Sequence, residues 1–289
     1  MPRRKKEPDE DNEPEPEPDT DISDVDAPQI LPVNDRDDIP PEKPLHPNLP
    51  QPPCLMLLCS PIRTGKSTII SNLYLNDNFY GQDYFDSVHI LSPTIHNDDT
   101  SRFLLKAFDC YDGYSDQVIQ DIIDHQKNFK EKKLMPPISI CLDDCLGTIR
   151  REAKVNHLAS RFRHYNIKLL MISSQKFRHV SPVIRTNATA VIVGSPFPNQ
   201  QELDKVFEEY GDSFGGPDNM KKIYRLCCPE RYNFMYLNLA ENPPLAFRNF
   251  ETLVAKGPTI VGGNGAEPSQ EIKELDKIIN ENVKEKDNI

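Results

Sequence analysis

The chain reads as an α/β fold: a mainly parallel sheet with helices on both faces. Three observations predict it. The apolar run CLMLLC at 54–59 breaks into a small-residue loop that closes on Gly65-Lys66-Ser67-Thr68, the sequence form of a buried strand, a phosphate-binding loop and a helix. A second apolar run, ISICL at 138–142, ends on Asp143-Asp144. Between and after them, strand-like runs alternate with segments of helical periodicity, a pattern that calls for parallel strands joined by crossover helices.

The ends of the chain differ from its middle. The formal net charge is -11, but residues 1–45 carry net -9 and residues 258–289 net -3, which leaves the middle near neutrality. Residues 1–50 are rich in Pro, Asp and Glu, with EPEPEPD at 13–19. They hold too little apolar surface to offset the entropy of ordering, so a disordered acidic arm is expected there. The folded domain is expected over 51–257, followed by a Gly-rich linker and a charged tail over 258–289. In that tail Ile272, Leu275 and Ile279 recur at helical spacing. The seven cysteines include no C-x-x-C pair and read as reduced, buried thiols. No run approaches the roughly 18 apolar residues of a membrane span, and the basic N-terminus is followed by acids. Neither a transmembrane segment nor a signal peptide is expected.

In order, the elements are a loop helix at about 66–75, a strand at 87–92 (SVHILS) and a helical, solvent-facing region at about 101–132. A strand at 138–142, a helix over 152–163 and a strand at 167–173 (IKLLMIS) come next. A short turn or helix at 180–185, a strand at 188–193 (ATAVIV) and a helix at 200–210 follow. Residues 223–228 and 232–239 read as two late strands, a hairpin at the sheet edge, and 214–222 as a candidate exposed loop.

The residue types of the loop fit phosphate chemistry. Amides from about Arg63 to Thr68 form a nest at the positive end of the following helix. Gly65 permits close backbone approach, Lys66 reaches the β/γ-phosphates, and the Ser67 hydroxyl ligates Mg²⁺. Ile62, Arg63, Thr64, Gly65, Lys66, Ser67 and Thr68 are the expected nucleotide-binding set. The loop departs from the usual G-x-x-x-x-G-K-[ST] form, with Ser60 in place of the first glycine and Pro61 after it. Asp143 is assigned to the Mg²⁺, and Asp144 to the attacking water. Gln175, at the tip of IKLLMISSQ, is placed as a γ-phosphate sensor on the condition that its strand lies between those at 54–59 and 138–142. Arg185 is the first choice for an arginine finger supplied to a neighbouring subunit, with Arg161, Arg163, His164 and Arg178 as alternatives.

SPIRTGKST, ISICLDD, RHYNIKLLMISSQ and VIRTNATAVIVG, in this order, resemble the genome-packaging ATPases of large double-stranded DNA viruses, virophages and Polinton-type elements, within the FtsK–HerA class of P-loop motors. The resemblance spans about 55–250. It implies a P-loop NTPase fold of the ASCE/RecA-like kind, a three-layer sandwich. It also implies ATP hydrolysis coupled to moving double-stranded DNA into a capsid, by a homo-oligomeric ring docked on a capsid or portal-vertex protein. The implied location is the host-cell cytoplasm (virus factory) and the virion. Two other readings stay open at this stage: a capsid-associated scaffold that holds nucleotide with little turnover, and a small-molecule P-loop kinase.

Overall fold

The computed structural model describes residues 45–97, 101–145, 149 and 153–261. The acidic arm up to residue 44 and the stripe Ile272, Leu275 and Ile279 lie outside them. The first apolar run forms β1 (Cys54–Cys59), buried at every position, as a strand covered on both faces must be. Its side chains divide by parity: Leu55, Leu57 and Cys59 enter one apolar core, Cys54, Met56 and Leu58 another.

The helices account for both cores. On one face α1 (Lys66–Leu75) contributes Ile70, Leu73 and Tyr74, and α2 (Arg102–Ala107) contributes Leu104. On the other, α3 (Asp116–Lys127), α4 (Lys154–Ala159) and α5 (Pro182–Asn187) supply Ile119, Ile122, Val155, Leu158 and Ile184. They are joined there by α6 (Gln200–Tyr210) and α7 (Pro217–Cys227), with Leu203, Val206, Phe207, Met220 and Ile223. The result is three layers, helix–sheet–helix. Side-chain caps set several starts: Ser115 accepts from the Val118 amide, Ser181 from Ile184 with Pro182 next to it, and Asn199 from Glu202.

The remaining strands are β2 (Ser87–Ser92), β3 (Asp109–Asp112), β4 (Ile138–Leu142), β5 (Ile167–Ser174), β6 (Ala190–Gly194), β7 (Phe234–Asn238), β8 (Leu245–Arg248), β9 (Thr252–Lys256) and β10 (Thr259–Ile260). Together with β1 they form one sheet in the order β10-β9-β8-β7-β6-β1-β5-β4-β2-β3. Strands β3, β2, β4, β5, β1 and β6 run parallel, while β7 to β10 continue antiparallel from β6. The condition set for Gln175 is met, since β5 pairs with β1 on one side and β4 on the other.

Four sequence expectations need correction. Residues 223–228 are not a strand but the end of α7, apart from Cys228 at its C-cap. Met220, Ile223, Tyr224 and Cys227 repeat at three- and four-residue spacing, and only the full stretch from Pro217 exposes that period. The exposed loop expected at 214–222 is replaced by a buried Phe214 and the first half of the same helix. The helical region at 101–132 contains an edge strand, β3, held by backbone pairing to β2 with no fully buried side chain. The late hairpin pairs β7 with β8, and β8, β9 and β10 went unpredicted. Packing also reaches past both ends of 51–257. Leu49 is buried, the Tyr80 hydroxyl donates to the Pro50 carbonyl at 2.6 Å, and Thr259–Ile260 pairs with β9.

Candidate nucleotide site at the strand tips

The C-terminal ends of parallel β1, β4 and β5 lie side by side at one edge of the sheet, the edge where open α/β sheets build their sites. From β1 the chain turns through Ser60, whose amide donates to the Ser174 carbonyl on β5 at 3.0 Å. The Thr64 hydroxyl donates to the Pro61 carbonyl at 2.6 Å, so its oxygen accepts from the buried Ser60 hydroxyl in turn. These two hydroxyls brace the loop in place of the usual first glycine. The room comes from β6, because a Cβ on Gly194 would stand 2.1 Å from the Ser60 Oγ. Arg63 and Gly65 both adopt positive φ, 61° and 89°. Gly65 is the N-cap of α1, with no side-chain cap and no acid in the first turn. The orphan amides and positive dipole end of that helix are left to a ligand.

The acidic pair ends β4. Asp143 is buried, and because β4 lies between β5 and β2 its carboxylate accepts from both neighbours: Ser173 Oγ on β5, and Ser92 Oγ on β2 at 3.3 Å. Asp144 takes a left-handed turn, φ 54°, and its carboxylate shares the Lys66 ammonium with that of Asp143. Its amide donates to Ser173 Oγ at 3.2 Å, and its Oδ2 accepts from Gln175 Nε2 at 2.7 Å. Lys66 Nζ is ion-paired with Asp144 Oδ2 and lies 3.4 Å from Asp143 Oδ1. The loop lysine, both acids and the strand-tip glutamine thus form one connected cluster. The thiols beside it are chemically quiet: burial raises Cys59 and Cys145 to about 12 and Cys141 well above its usual value.

A cleft of about 940 Å³ opens over this cluster, lined by the loop from Pro61 to Thr68 together with Asp144 and Gln175. Ser67 faces the cleft as the second residue of α1. The set suits a nucleoside triphosphate with a divalent cation. Loop amides and Lys66 could hold phosphate oxygens, and Ser67 with the Asp143 carboxylate could hold the cation.

Arg185 does not line this cleft. Its guanidinium pairs with Glu209 on α6 and lies 5.2 Å over the Phe177 ring. Arg178 pairs with Glu202 at 3.2 Å. Arg161, Arg163 and His164 precede β5, at the end of that strand opposite Gln175. Sequence reasoning missed Ser92 and Ser173, which hold Asp143, and a second bank of the cleft built by Phe79, Arg231, Tyr232, Asn249, Phe250 and Glu251. The serines could have been found as polar residues closing the apolar strands on either side of ISICL.

No protein-family model matches the chain, and no curated protein does. Among solved structures, the DNA-packaging ATPase B204 from Sulfolobus turreted icosahedral virus matches 69% of this chain and 98% of its own, with a TM-score of 0.52 and 13% identity. The fold is that of a P-loop NTPase. Genome-packaging NTPase B204 from Sulfolobus turreted icosahedral virus 2, in complex with ATPγS, matches 68% of this chain and 98% of its own at TM-score 0.49 and 14% identity. The pCW3 conjugation coupling protein TcpA, with ATPγS, matches 70% and 61% at TM-score 0.42 and 13% identity. Within the P-loop NTPase fold the GKS loop, the acid-tipped strand and the Gln-tipped strand occupy adjacent positions of the sheet. Among the described residues no helix is long and apolar enough to cross a membrane.

Proposed function

We propose that this chain is an ATP-hydrolysing motor that moves double-stranded DNA into a viral capsid. The observation that carries the reading is the contact of Lys66 with both Asp143 and Asp144 while Gln175 donates to Asp144. Those four residues come from the tips of β5 and β4 and the loop after β1, and a hydrolysing site needs all three parts. A P-loop fold shared with a packaging ATPase supports the assignment.

In this reading the amides of residues 62–68 and Lys66 bind the triphosphate of ATP, and Ser67 and Asp143 hold Mg²⁺. The bound cation neutralises charge that develops on the phosphoryl oxygens. Asp144 accepts a hydrogen bond from the attacking water and orients it toward the γ-phosphate. Gln175, already bonded to Asp144, moves with it and passes the state of the γ-phosphate along β5. Arg185, which does not line its own cleft, serves the site of an adjacent subunit, so the working form is a homo-oligomeric ring. The ring docks on a capsid or portal-vertex protein, in the cytoplasm of the host cell and at the virion.

The test is ATP hydrolysis by purified protein with and without long double-stranded DNA, beside Asp144→Asn. Stimulation by DNA that vanishes in the variant is expected. Hydrolysis indifferent to DNA, with or without capsid protein added, would remove the motor reading and leave an ATPase.

A further inference from the structure

The cleft is larger than the phosphate half of a nucleotide requires. One bank is the phosphate-binding loop. The other belongs to segments late in the sheet: Arg231 and Tyr232 before β7, and Asn249, Phe250 and Glu251 in the turn between β8 and β9, with Phe79 after α1. This bank is aromatic. Phe250 packs edge-on against Phe79 at 5.8 Å and against Phe234 at 5.1 Å, which anchors it to the core. The Arg231 guanidinium lies 4.9 Å over the Tyr232 ring. Tyr232 itself is 57% exposed, although its amide is fixed to the Ser195 carbonyl at 3.2 Å. An ordered aromatic ring left open to solvent at a cleft is an unfilled contact surface.

The backbone points to the same place. Five non-glycine residues among those described have positive φ, and four of them, Arg63, Asp144, Tyr232 and Asn249, line this one cleft. Strain of this kind gathers where a ligand must be met in a fixed geometry. For Tyr232, at φ 71°, the cost is notable because a bulky aromatic gains nothing from the left-handed region. The conformation brings its ring to 3.7 Å from where a Cβ on Gly65 would stand, directly beside the phosphate loop.

We infer that the bank formed by Phe79, Arg231, Tyr232 and Phe250 is the subsite for the base of the nucleotide, with Tyr232 as the residue that stacks on it. The inference rests on the nucleotide reading of the loop given above. A base joined to phosphates held by residues 62–68 leaves the loop toward this bank, and its flat apolar faces match the exposed ring and guanidinium. Stacking of a base on an aromatic side chain changes affinity by roughly tenfold or more on removal.

The chain contains no tryptophan, so Tyr232→Trp places a single fluorophore at the subsite. Titration of that variant with the non-hydrolysable ATP analogue AMPPCP and Mg²⁺ is expected to quench the emission, while inorganic tripolyphosphate binds, displaces AMPPCP and leaves the emission near its starting value. In the otherwise native chain, Tyr232→Ala should weaken AMPPCP binding by about tenfold in calorimetry and leave tripolyphosphate affinity unchanged. Tyr232→Phe should behave as the unaltered protein. If AMPPCP binds by calorimetry but neither quenches the tryptophan nor responds to Tyr232→Ala, the base lies elsewhere and the subsite is overturned while the phosphate site stands. If neither AMPPCP nor tripolyphosphate binds, the nucleotide reading of the loop falls and the subsite with it.

Discussion

Ser60 and Gly194 illustrate how one unusual residue is accommodated by another far away in the chain. Replacing the usual glycine with Ser60 adds a buried hydroxyl that braces the loop through Thr64, and the glycine on β6 makes the space. Gly194→Ala should therefore destabilise the domain by about 1–3 kcal/mol through overpacking. Ser60→Gly in the same chain should recover most of that loss. A urea-unfolding double-mutant cycle with no coupling between the two changes would contradict the close contact. The cluster above the loop makes a second prediction. Lys66 is the cation that faces both acids, so Lys66→Ala should abolish ATP hydrolysis, with full turnover in a clean preparation as the result that removes the proposed site. Asp144→Asn is the cleaner probe of the acid, because Asn tolerates the left-handed backbone that Asp144 adopts.

At the level of elements, what the sequence revealed was set by burial. Strands β1, β4 and β5 are covered on both faces, so their apolar runs stand out and their polar tips, Lys66 just beyond the loop, Asp143-Asp144 and Gln175, could be read from spacing alone. β3 left no such trace, since Asp109–Asp112 joins the sheet by its backbone and buries no side chain fully. The helix α7 was misread because its apolar end, cut off from Met220, looks like a strand. The aromatic bank of the cleft was not legible at all, as it joins Phe79 after α1 to two segments, 231–232 and 249–251, that flank the antiparallel strands β7 to β9. The α5–α6 contact carries a prediction at this scale. If Arg185 serves a neighbouring site, Arg185→Ala should lower turnover by on the order of 10³-fold or more and be partly rescued in mixed rings that contain an intact Arg185. Glu209→Gln breaks the same ion pair but keeps the arginine, and should retain turnover. Equal losses in the two variants would mean that Arg185 only ties α5 to α6.

For the molecule as a whole, the buried thiols tie stability to pH on the alkaline side. Cys54, Cys59, Cys141, Cys145 and Cys227 are buried thiols, spread over β1, β4, the stretch after Asp143-Asp144 and α7. Burial raises Cys54, Cys59 and Cys145 to about 12 and holds Cys141 and Cys227 well above the usual 9. A thiol with its folded value raised keeps its proton in the native state while the unfolded chain has already lost it. Its contribution is fully present below about pH 9 and is lost as pH rises toward the folded value. Each such group changes stability by about 1.4 kcal/mol per pH unit in that window. The five act in the same direction, and a domain is held folded by only roughly 5–15 kcal/mol. Tyr74 and Tyr80, also raised by burial, steepen the loss above pH 10. The domain should therefore lose stability as pH rises above the unfolded thiol value. Circular dichroism across pH 8–11, with the unfolding constant fitted against pH, should show that unfolding releases several protons per molecule, more of them as pH rises. No net release of protons on unfolding would mean that the buried thiols do not couple stability to pH.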